Sequence, residues 1–432
     1  MGKCAVRSSF KMAETLIFTF YFKSLWFTEN KEVRISSPYL LSPAFSTPPM
    51  KELQNILAAF EQSQKKGELT ALATVVKTSG SVYRRPGARM LLTEEGQMIG
   101  CVSGGCLESD VFEKAQALMF ADGVPVVVNY DTTASDDIVW GFGLGCNGVV
   151  EVLIEPLSNQ LAKGQLDFIA ECLHGQESGV MATVFKVSGE IIAKVASRLF
   201  LKPDGTVISN IEDELLVQQI LVDVQQVLNQ GESRVKSYIL PSGIAGVFLE
   251  VIHPIVPLVV FGAGHDAIPV VNLVKHQGWH VTVVDNRPGY ITFERFPNAD
   301  QIIFSEPQTI QNHLNLNSRT VAIVMTHRYE SDLALLRTLL PSSVSYIGIL
   351  GPKSRTQRLL QDLKSEEFLP KDTQLQRLYA PVGLDIGADS PEAIALSIVA
   401  EIQAVLANRA GGMLRARLGS IHGEEITCLM SV

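Results

Sequence analysis

The sequence has little of several features that would assign it to a special class. Its six cysteines in 432 residues include no CxxC pair and no zinc-finger spacing, so we expect free thiols in a reducing, cytoplasmic compartment. Basic residues number 36 against 45 acidic ones, which argues against nucleic acid as a general partner. No apolar run reaches the roughly 20 residues that span a bilayer, so no membrane partner is expected. At 46% hydrophobic residues, the chain can fill two or three globular domains.

The first 49 residues show no folding pattern. Their apolar stretch, Leu16 to Phe27, is short and interrupted by Lys23, and a segment rich in proline and serine follows it. A helical pattern begins directly at Met50. We therefore expect residues 1–49 to be a disordered or spurious extension, with translation starting at Met50, rather than a targeting sequence.

A strand–turn–strand unit after Met50 is present twice. Two pairs of similar segments lie 109 residues apart, and a third pair, the closing strands, lies 98 residues apart. The pairs are 73–81 with 182–190, 88–100 with 197–209, and 148–156 with 246–254. We therefore predict an α/β unit at residues 50–157 and a second, degenerate copy of it at residues 158–256.

The two copies differ in their glycine and cysteine content. Only the first contains GCVSGGC at 100–106 and GFGLGC at 141–146. Glycine-rich loops are costly to order and add little to a core. Their presence in one copy predicts a binding site there, with the second copy as its structural partner.

Residues 257–410 have the pattern of a Rossmann-like, doubly wound parallel sheet, followed by a tail at 411–432. A buried strand leads into Gly262, Gly264 and Ala267, the GxGxxA form of the dinucleotide fingerprint, and Asp285 ends the next strand. The turn predicts a site for a phosphate, and the carboxylate predicts a contact with ribose hydroxyls. The expected ligand is NAD(P), another nucleotide or a pterin phosphate, and the alternative is a turn that is kept for the fold and no longer binds a dinucleotide.

Other polar residues are expected near the same sheet edge. His265 lies in the glycine turn, where it either faces the ligand or caps the helix. His327 follows a buried strand, and Lys353 and Arg355 follow another, as candidates to hold an anion. The alternative for these last residues is a solvated loop.

The candidate residues of the first copy combine guanidinium groups with a glycine-rich helix start. Backbone N–H groups at such a start bind phosphate, and its dipole favours the thiolate form of Cys106, which ligates soft metals. Cys146 could meet Cys106 across the fold, the alternative being that both are inert buried thiols. The predicted phosphate-binding residues are Arg84, Arg85, Arg89, Ser103, Gly104 and Gly105.

Eight segments together resemble the XdhC/CoxI family of accessory proteins for molybdenum hydroxylases. They are TSGSVYRRPGARML, GCVSGGCLESDV, GFGLGCNGVVEVLIEPL, VVFGAGHDAIPVV, VTVVDNRP, AIVMTHRYESDLALL, YIGILGPKSR and APVGLDIGADSPEAIALSI. The resemblance implies a chaperone that binds molybdenum cofactor, protects it while its terminal sulfur is installed, and hands it to a xanthine dehydrogenase-type hydroxylase. It also implies a cysteine desulfurase as partner and is compatible with a homodimer.

Two other functions remain open at the level of sequence. One is an NAD(P)-dependent oxidoreductase with His327 as its acid, although no Tyr-x-x-x-Lys or comparable catalytic group is evident. The other is a structural adaptor without a ligand. The resemblance favours a non-enzymatic maturation factor over both.

Overall fold

A computed structural model describes residues 50–121, 123–131, 147–158 and 160–416. Within these ranges the strands form two five-stranded sheets and one six-stranded sheet, with helices packed on them. This architecture confirms the predicted fold class. The predicted extension at 1–49 and the tail beyond Ala416 lie outside the described residues. No helix in the described ranges is long and apolar enough to cross a membrane.

The first copy is an antiparallel sheet with one helix on each face. Leu53 and Ile56 of the first helix pack against Leu72 and Leu91, while side chains that alternate with these point to the second helix. The strand order is β3-β2-β1-β5-β4. The elements are α1 (Met50–Lys66), β1 (Thr70–Ser81), β2 (Arg89–Thr93), β3 (Met98–Gly100), α2 (Glu108–Phe120), β4 (Val126–Asp131) and β5 (Asn147–Pro156).

The second copy repeats this plan. Its strand order, β8-β7-β6-β10-β9, is that of the first sheet element by element. Its second helix begins where Asp213 accepts the Leu216 N–H and ends at Gly231, whose φ of 67° is left-handed. The elements are α3 (Gln160–His174), β6 (Gly179–Gly189), β7 (Arg198–Leu201), β8 (Val207–Ser209), α4 (Glu214–Gln230), β9 (Arg234–Leu240) and β10 (Gly243–Ile252).

The strand register corrects the sequence match of the two closing strands. In the first copy Glu155 pairs with Leu72, and in the second Glu250 pairs with Met181, the residue 109 positions after Leu72. The equivalent residues of β5 and β10 are therefore 95 positions apart, not 98. Gly148 corresponds to Gly243 instead of Gly246, because the pairing pattern of the strands, rather than the shared letters, fixes the equivalence.

Two buried ion pairs join the copies reciprocally. Arg89 of the first copy binds both carboxylate oxygens of Glu250, and the equivalent Arg198 of the second copy binds Glu155. All four side chains are at most 4% exposed. Burial opposes the charge of Arg89, but Glu250 outweighs it and raises the pKa of Arg89. This corrects the prediction that Arg89 binds a cofactor, because its side chain is enclosed and occupied by Glu250.

The remaining residues form a parallel sheet in the order β13-β12-β11-β14-β15-β16. This is the Rossmann order, in which the direction of winding reverses between β11 and β14 and leaves a crevice for ligands there. The strands are β11 (Pro257–Phe261), β12 (His280–Asp285), β13 (Gln301–Phe304), β14 (Val321–Val324), β15 (Tyr346–Ile349) and β16 (Leu378–Tyr379). The helices are α5 (Ala267–His276), α6 (Tyr329–Leu339), α7 (Lys353–Ser365), α8 (Asp372–Leu375) and α9 (Pro391–Leu406).

The preceding residues contact the parallel sheet at its amino-terminal edge. Gln54 of α1 donates to the carbonyl of Gly278, just before β12, at 2.7 Å. Val256 accepts the N–H of His280, the first residue of β12, at 2.9 Å. The carboxyl-terminal edge, where Rossmann folds bind ligands, lies at the other end of these strands.

Candidate functional site

The glycine turn after β11 is built as the sequence predicts. Gly262 has a φ of 116°, and a methyl group on it would lie 2.4 Å from the carbonyl oxygen of Met325. Only glycine fits this position, because the backbones of β11 and β14 meet here. At the start of α5, Gly264 is partly exposed and His265 is exposed. The turn therefore lies open at the carboxyl edge.

The Asp266 carboxylate lies next to the partly exposed Gly264. A methyl group on Gly264 would lie 2.4 Å from Oδ1 of Asp266 and 3.7 Å from Cδ2 of His327. Asp266 Oδ2 and His327 Nε2 are 2.7 Å apart. In dinucleotide-binding turns the pyrophosphate approaches the second glycine closely. Here the Asp266 carboxylate and the His327 ring lie next to the second glycine.

Asp285 ends β12 as predicted, but its carboxylate is already engaged. It accepts the Ala263 N–H at 2.6 Å, the Arg287 N–H at 2.9 Å, and two further hydrogen bonds from the Arg287 guanidinium. Burial would raise the pKa of Asp285, but the hydrogen bonds from Arg287 and Ala263 outweigh it and hold the pKa below its usual value. Four accepted bonds use the capacity of a carboxylate, so none is left for ribose hydroxyls.

A crevice opens between the ends of β11, β12 and β14. Its polar wall includes Arg287 and Arg328, neither of which the sequence pattern singled out. Arg287 lies over the ring of Tyr290, with 4.2 Å from its Cζ to the ring centre. Arg328 is exposed and donates one long hydrogen bond, 3.3 Å, to Asn286 Oδ1. The signal in the sequence was their position, each just after the end of a buried strand.

Hydrogen bonds to buried side chains hold the loop that carries His327 and Arg328. Thr326 Oγ1 accepts the N–H of Arg328 at 3.1 Å and donates to buried Asp332. Arg355 binds the other oxygen of Asp332 at 2.7 Å. The predicted anion-binding residue Arg355 therefore acts on this loop through Asp332, whereas Lys353 is exposed at the start of α7.

In the first copy, the chain's own side chains form hydrogen bonds with the backbone at the predicted phosphate-binding helix start. Ser103 Oγ accepts the N–H groups of Gly105, Cys106 and Leu107 at 3.1–3.2 Å. The Glu108 carboxylate accepts the Ser103 N–H at 2.8 Å and its hydroxyl. The N–H groups of Gly105, Cys106 and Leu107 are thus already bonded within the chain, and ligand binding by Ser103, Gly104 and Gly105 stays a prediction.

The same segment has a free thiol at Cys106 and an aromatic ring against Gly104. Cys106 is partly exposed, and Gly104 and Gly105 next to it are exposed. The ring of Tyr83, which is 65% exposed, would lie 3.7 Å from a methyl group on Gly104. The sequence reasoning missed Tyr83. A signal was present, because the equivalent residue 109 positions later, in the copy that lacks the cysteine segment, is the aliphatic Ile192.

The arginines of the first loop differ in their surroundings. Arg84 forms an ion pair with Glu52 of α1 at 2.6 Å and donates to Cys101 Sγ at 3.3 Å. Burial raises the pKa of the Cys101 thiol despite the neighbouring guanidinium. Arg85 is exposed. Cys101 is therefore a half-buried, protonated thiol that faces α1.

The predicted residues form two separate sites in one chain. The cysteine segment is tied through Cys101 and Glu52 to α1, which contacts the amino edge of the parallel sheet. The glycine turn and the crevice lie at the carboxyl edge.

Within the described ranges no group of three or more His, Cys, Asp or Glu side chains could hold a metal ion. Cys146, the second predicted metal ligand, lies outside those ranges.

Family models match both halves of the chain. The description "XdhC Rossmann domain" matches residues 258–402. The description "XdhC and CoxI family" matches residues 63–131 and 172–238, two segments whose starts are 109 residues apart, as are the two copies. The chain belongs to the XdhC/CoxI family. The resemblance found in the sequence is thereby confirmed.

Individual relatives of this XdhC/CoxI protein cover most of its length. It is 35% identical to a Bacillus subtilis protein described as a probable xanthine dehydrogenase subunit. The 356 aligned residues cover 82% of this chain and 97% of that protein. It is 22% identical over 379 residues to the "molybdenum cofactor insertion chaperone PaoD" of Escherichia coli, 87% of this chain and 91% of that one. A solved structure described as a xanthine dehydrogenase from Bacillus halodurans superposes with a TM-score of 0.67 at 32% identity, covering 82% and 96% of the two chains.

Proposed function

We propose that this protein binds molybdenum cofactor, protects it while its terminal sulfur ligand is installed, and delivers it to a xanthine dehydrogenase-type hydroxylase in the cytoplasm. Its family and its relative of Bacillus subtilis support an accessory role for xanthine dehydrogenase. The chaperone name of its distant Escherichia coli relative supports handling of the cofactor. A cysteine desulfurase would be the partner that supplies the sulfur, and the protein would act without turning over a substrate.

The observation that carries the proposal is the Cys106 segment of the first copy. It has a free, partly exposed thiol, two exposed glycines directly before that thiol, and an exposed tyrosine ring next to Gly104. A thiolate is a soft ligand suited to a metal such as molybdenum, and a flat heteroaromatic pterin stacks on aromatic rings. Cys106 would contact the metal end of the cofactor and Tyr83 its pterin, while the exposed Gly104 and Gly105 let the ligand come close to the backbone.

The segment is also fixed in place before a ligand arrives. Ser103 and Glu108 satisfy the amide groups of the bend that carries Cys106, so its backbone is ordered by the chain's own hydrogen bonds. A preordered loop loses little entropy on binding. When bound, the cofactor would bring its molybdenum centre, and the protein's own residues would hold, orient and shield it.

The alternative function, an NAD(P)-dependent oxidoreductase, finds no support at the glycine turn. Asp266 lies where the pyrophosphate would approach Gly264. Asp285 has no free oxygen lone pair for a ribose hydroxyl. His327, the acid that such an enzyme would use, is paired with Asp266.

The proposal is tested by cofactor retention. The full chain is purified from cells that make molybdenum cofactor and is assayed for molybdenum and for fluorescent pterin. We expect both at close to one per chain in the parent protein. Cys106→Ala should lose molybdenum, whereas Cys172→Ala, the same change at a fully buried thiol, should keep it.

Matched variants from the two copies test the pterin contact. Tyr83→Ala should lose pterin, Tyr83→Phe should keep it, and Ile192→Ala, at the equivalent position of the second copy, should have no effect. Absence of cofactor from the parent protein, even after anaerobic incubation with excess cofactor, would refute the proposed function. Equal retention by Cys106→Ala and Tyr83→Ala would refute the assigned site.

A further inference from the structure

We propose that the crevice at the carboxyl ends of β11, β12 and β14 binds a phosphomonoester through Arg328 and Arg287, and that it rejects the pyrophosphate of a dinucleotide. This would be a second ligand site, apart from the Cys106 segment. The crevice lies at the switch point of the sheet, the position at which open α/β folds bind their ligands.

Arg328 is the group whose surroundings point to a missing anion. Arg328 lines the crevice, and the hydrogen-bond partner of its guanidinium, Asn286 Oδ1, is neutral. Among the described residues, no carboxylate lies within ion-pair distance of Arg328. Other arginines near this edge have such partners, since Arg287 binds Asp285 and Arg355 binds Asp332. An exposed guanidinium beside a second one is the arrangement that binds phosphate.

Arg287 can join Arg328 without leaving its own partner. Its Nε and Nη2 atoms donate to Asp285, and the ring of Tyr290 supports the guanidinium plane at 4.2 Å. No hydrogen bond of the described residues uses its Nη1. Asp285 holds the side chain in one orientation, so that the remaining donor is fixed for a ligand.

The loop that presents Arg328 has a strained backbone. His327 has a φ of 60°, a left-handed conformation that is uncommon for residues other than glycine. Thr326 and buried Asp332 hold the loop, and Arg355 holds Asp332 in turn. Strained residues that persist under such support are concentrated at ligand clamps and active sites. The support aims Arg328 at the crevice.

The charge at the glycine turn sets which phosphate fits. A dinucleotide places its pyrophosphate on the second glycine, where the Asp266 carboxylate lies beside His327. A phosphomonoester held by Arg328 and Arg287 does not have to place a phosphate on Gly264, the position beside that carboxylate. The ligand class is therefore a compound with a terminal phosphate, for example a nucleoside monophosphate.

The test is isothermal titration calorimetry on the full chain with inorganic phosphate, AMP and NAD⁺. We expect phosphate and AMP to bind, and NAD⁺ to bind more weakly than AMP. Arg328→Ala should weaken phosphate and AMP by about tenfold or more, the usual size of a lost charged hydrogen bond. Arg328→Lys should keep part of the affinity. Arg358→Ala, which removes a guanidinium that lies over Tyr329 outside the crevice, should have no effect. Asp266→Asn should strengthen the binding of NAD⁺ more than that of AMP.

Three results would overturn the inference. They are tighter binding of NAD⁺ than of AMP to the parent protein, an unchanged phosphate affinity in Arg328→Ala, and loss of molybdenum retention in Arg328→Ala. The last would mean that the crevice is part of the cofactor site. Failure of phosphate binding with normal molybdenum retention would remove this inference and leave the proposed function in place.

Discussion

Arg89→Met is expected to destabilise the protein by about 3–5 kcal/mol, because it leaves the Glu250 carboxylate buried without its partner. The two side chains are 1% and 3% exposed, so water cannot replace the lost guanidinium. The reciprocal change, Arg198→Met, should cost a similar amount, since Arg198 and Glu155 are 4% and 1% exposed. An exposed ion pair provides a comparison for the size of the loss in stability. Lys66 and Glu95 are 44% and 59% exposed, so Lys66→Met should cost less than about 1 kcal/mol.

The assay is urea denaturation followed by far-UV circular dichroism, with hydrogen exchange to locate the change. Exchange should rise in β1 and β10 in Arg89→Met and stay unchanged in β12. The double variant Arg89→Met/Glu250→Leu should regain most of the lost stability, because an apolar pair of similar volume removes the unpaired charge. A cost for Arg89→Met no greater than that of Lys66→Met, or a double variant as unstable as the single one, would refute the claim that these pairs join the two copies.

Two further predictions concern His253 and Gly262. Burial lowers the pKa of His253 to about 4 from 6.5, so the unfolded chain takes up its proton first as the pH falls. Stability should therefore drop by about 2 kcal/mol between pH 7 and pH 5, and His253→Gln should flatten that dependence in urea titrations; parallel pH profiles would contradict this. Gly262→Ala should cost more than about 1 kcal/mol in thermal or urea unfolding, since it has a φ of 116° and faces the Met325 carbonyl. Gly289→Ala, which has open space around it, is the control, and equal costs would show that the turn is not constrained.

The fold could be predicted because its signals are local. The glycine turn after β11, the two buried strands and the acidic residue at the end of β12 lie within about 30 residues, the usual length of a βαβ unit, and their order alone indicates a Rossmann unit. The duplication could be recognised for the same reason, because two pairs of similar segments are both 109 residues apart. The closing strands were misaligned by three positions, because similar letters can be matched in more than one register and only strand pairing decides between them.

The roles of the charged residues were harder to predict, because their partners are distant in sequence. Arg89 was assigned to a ligand, whereas its partner Glu250 lies 161 residues away. Arg355 was assigned likewise, but it binds Asp332 on another helix. Arg328 was not singled out beside His327, although it is the one of these three that is exposed and has no carboxylate partner in the described part of the chain. A sequence shows which residues follow a strand, but not which charges are already paired.

The central claim is that the protein carries molybdenum cofactor and delivers it. It is tested most directly by mixing the cofactor-loaded full chain with cofactor-free xanthine dehydrogenase in the presence of a cysteine desulfurase and cysteine. We expect molybdenum to move to the dehydrogenase and xanthine oxidation to appear, faster than with an equal amount of free cofactor, and not with protein carrying Cys106→Ala. Activation no faster than with free cofactor, or molybdenum that stays on the loaded protein, would contradict the account.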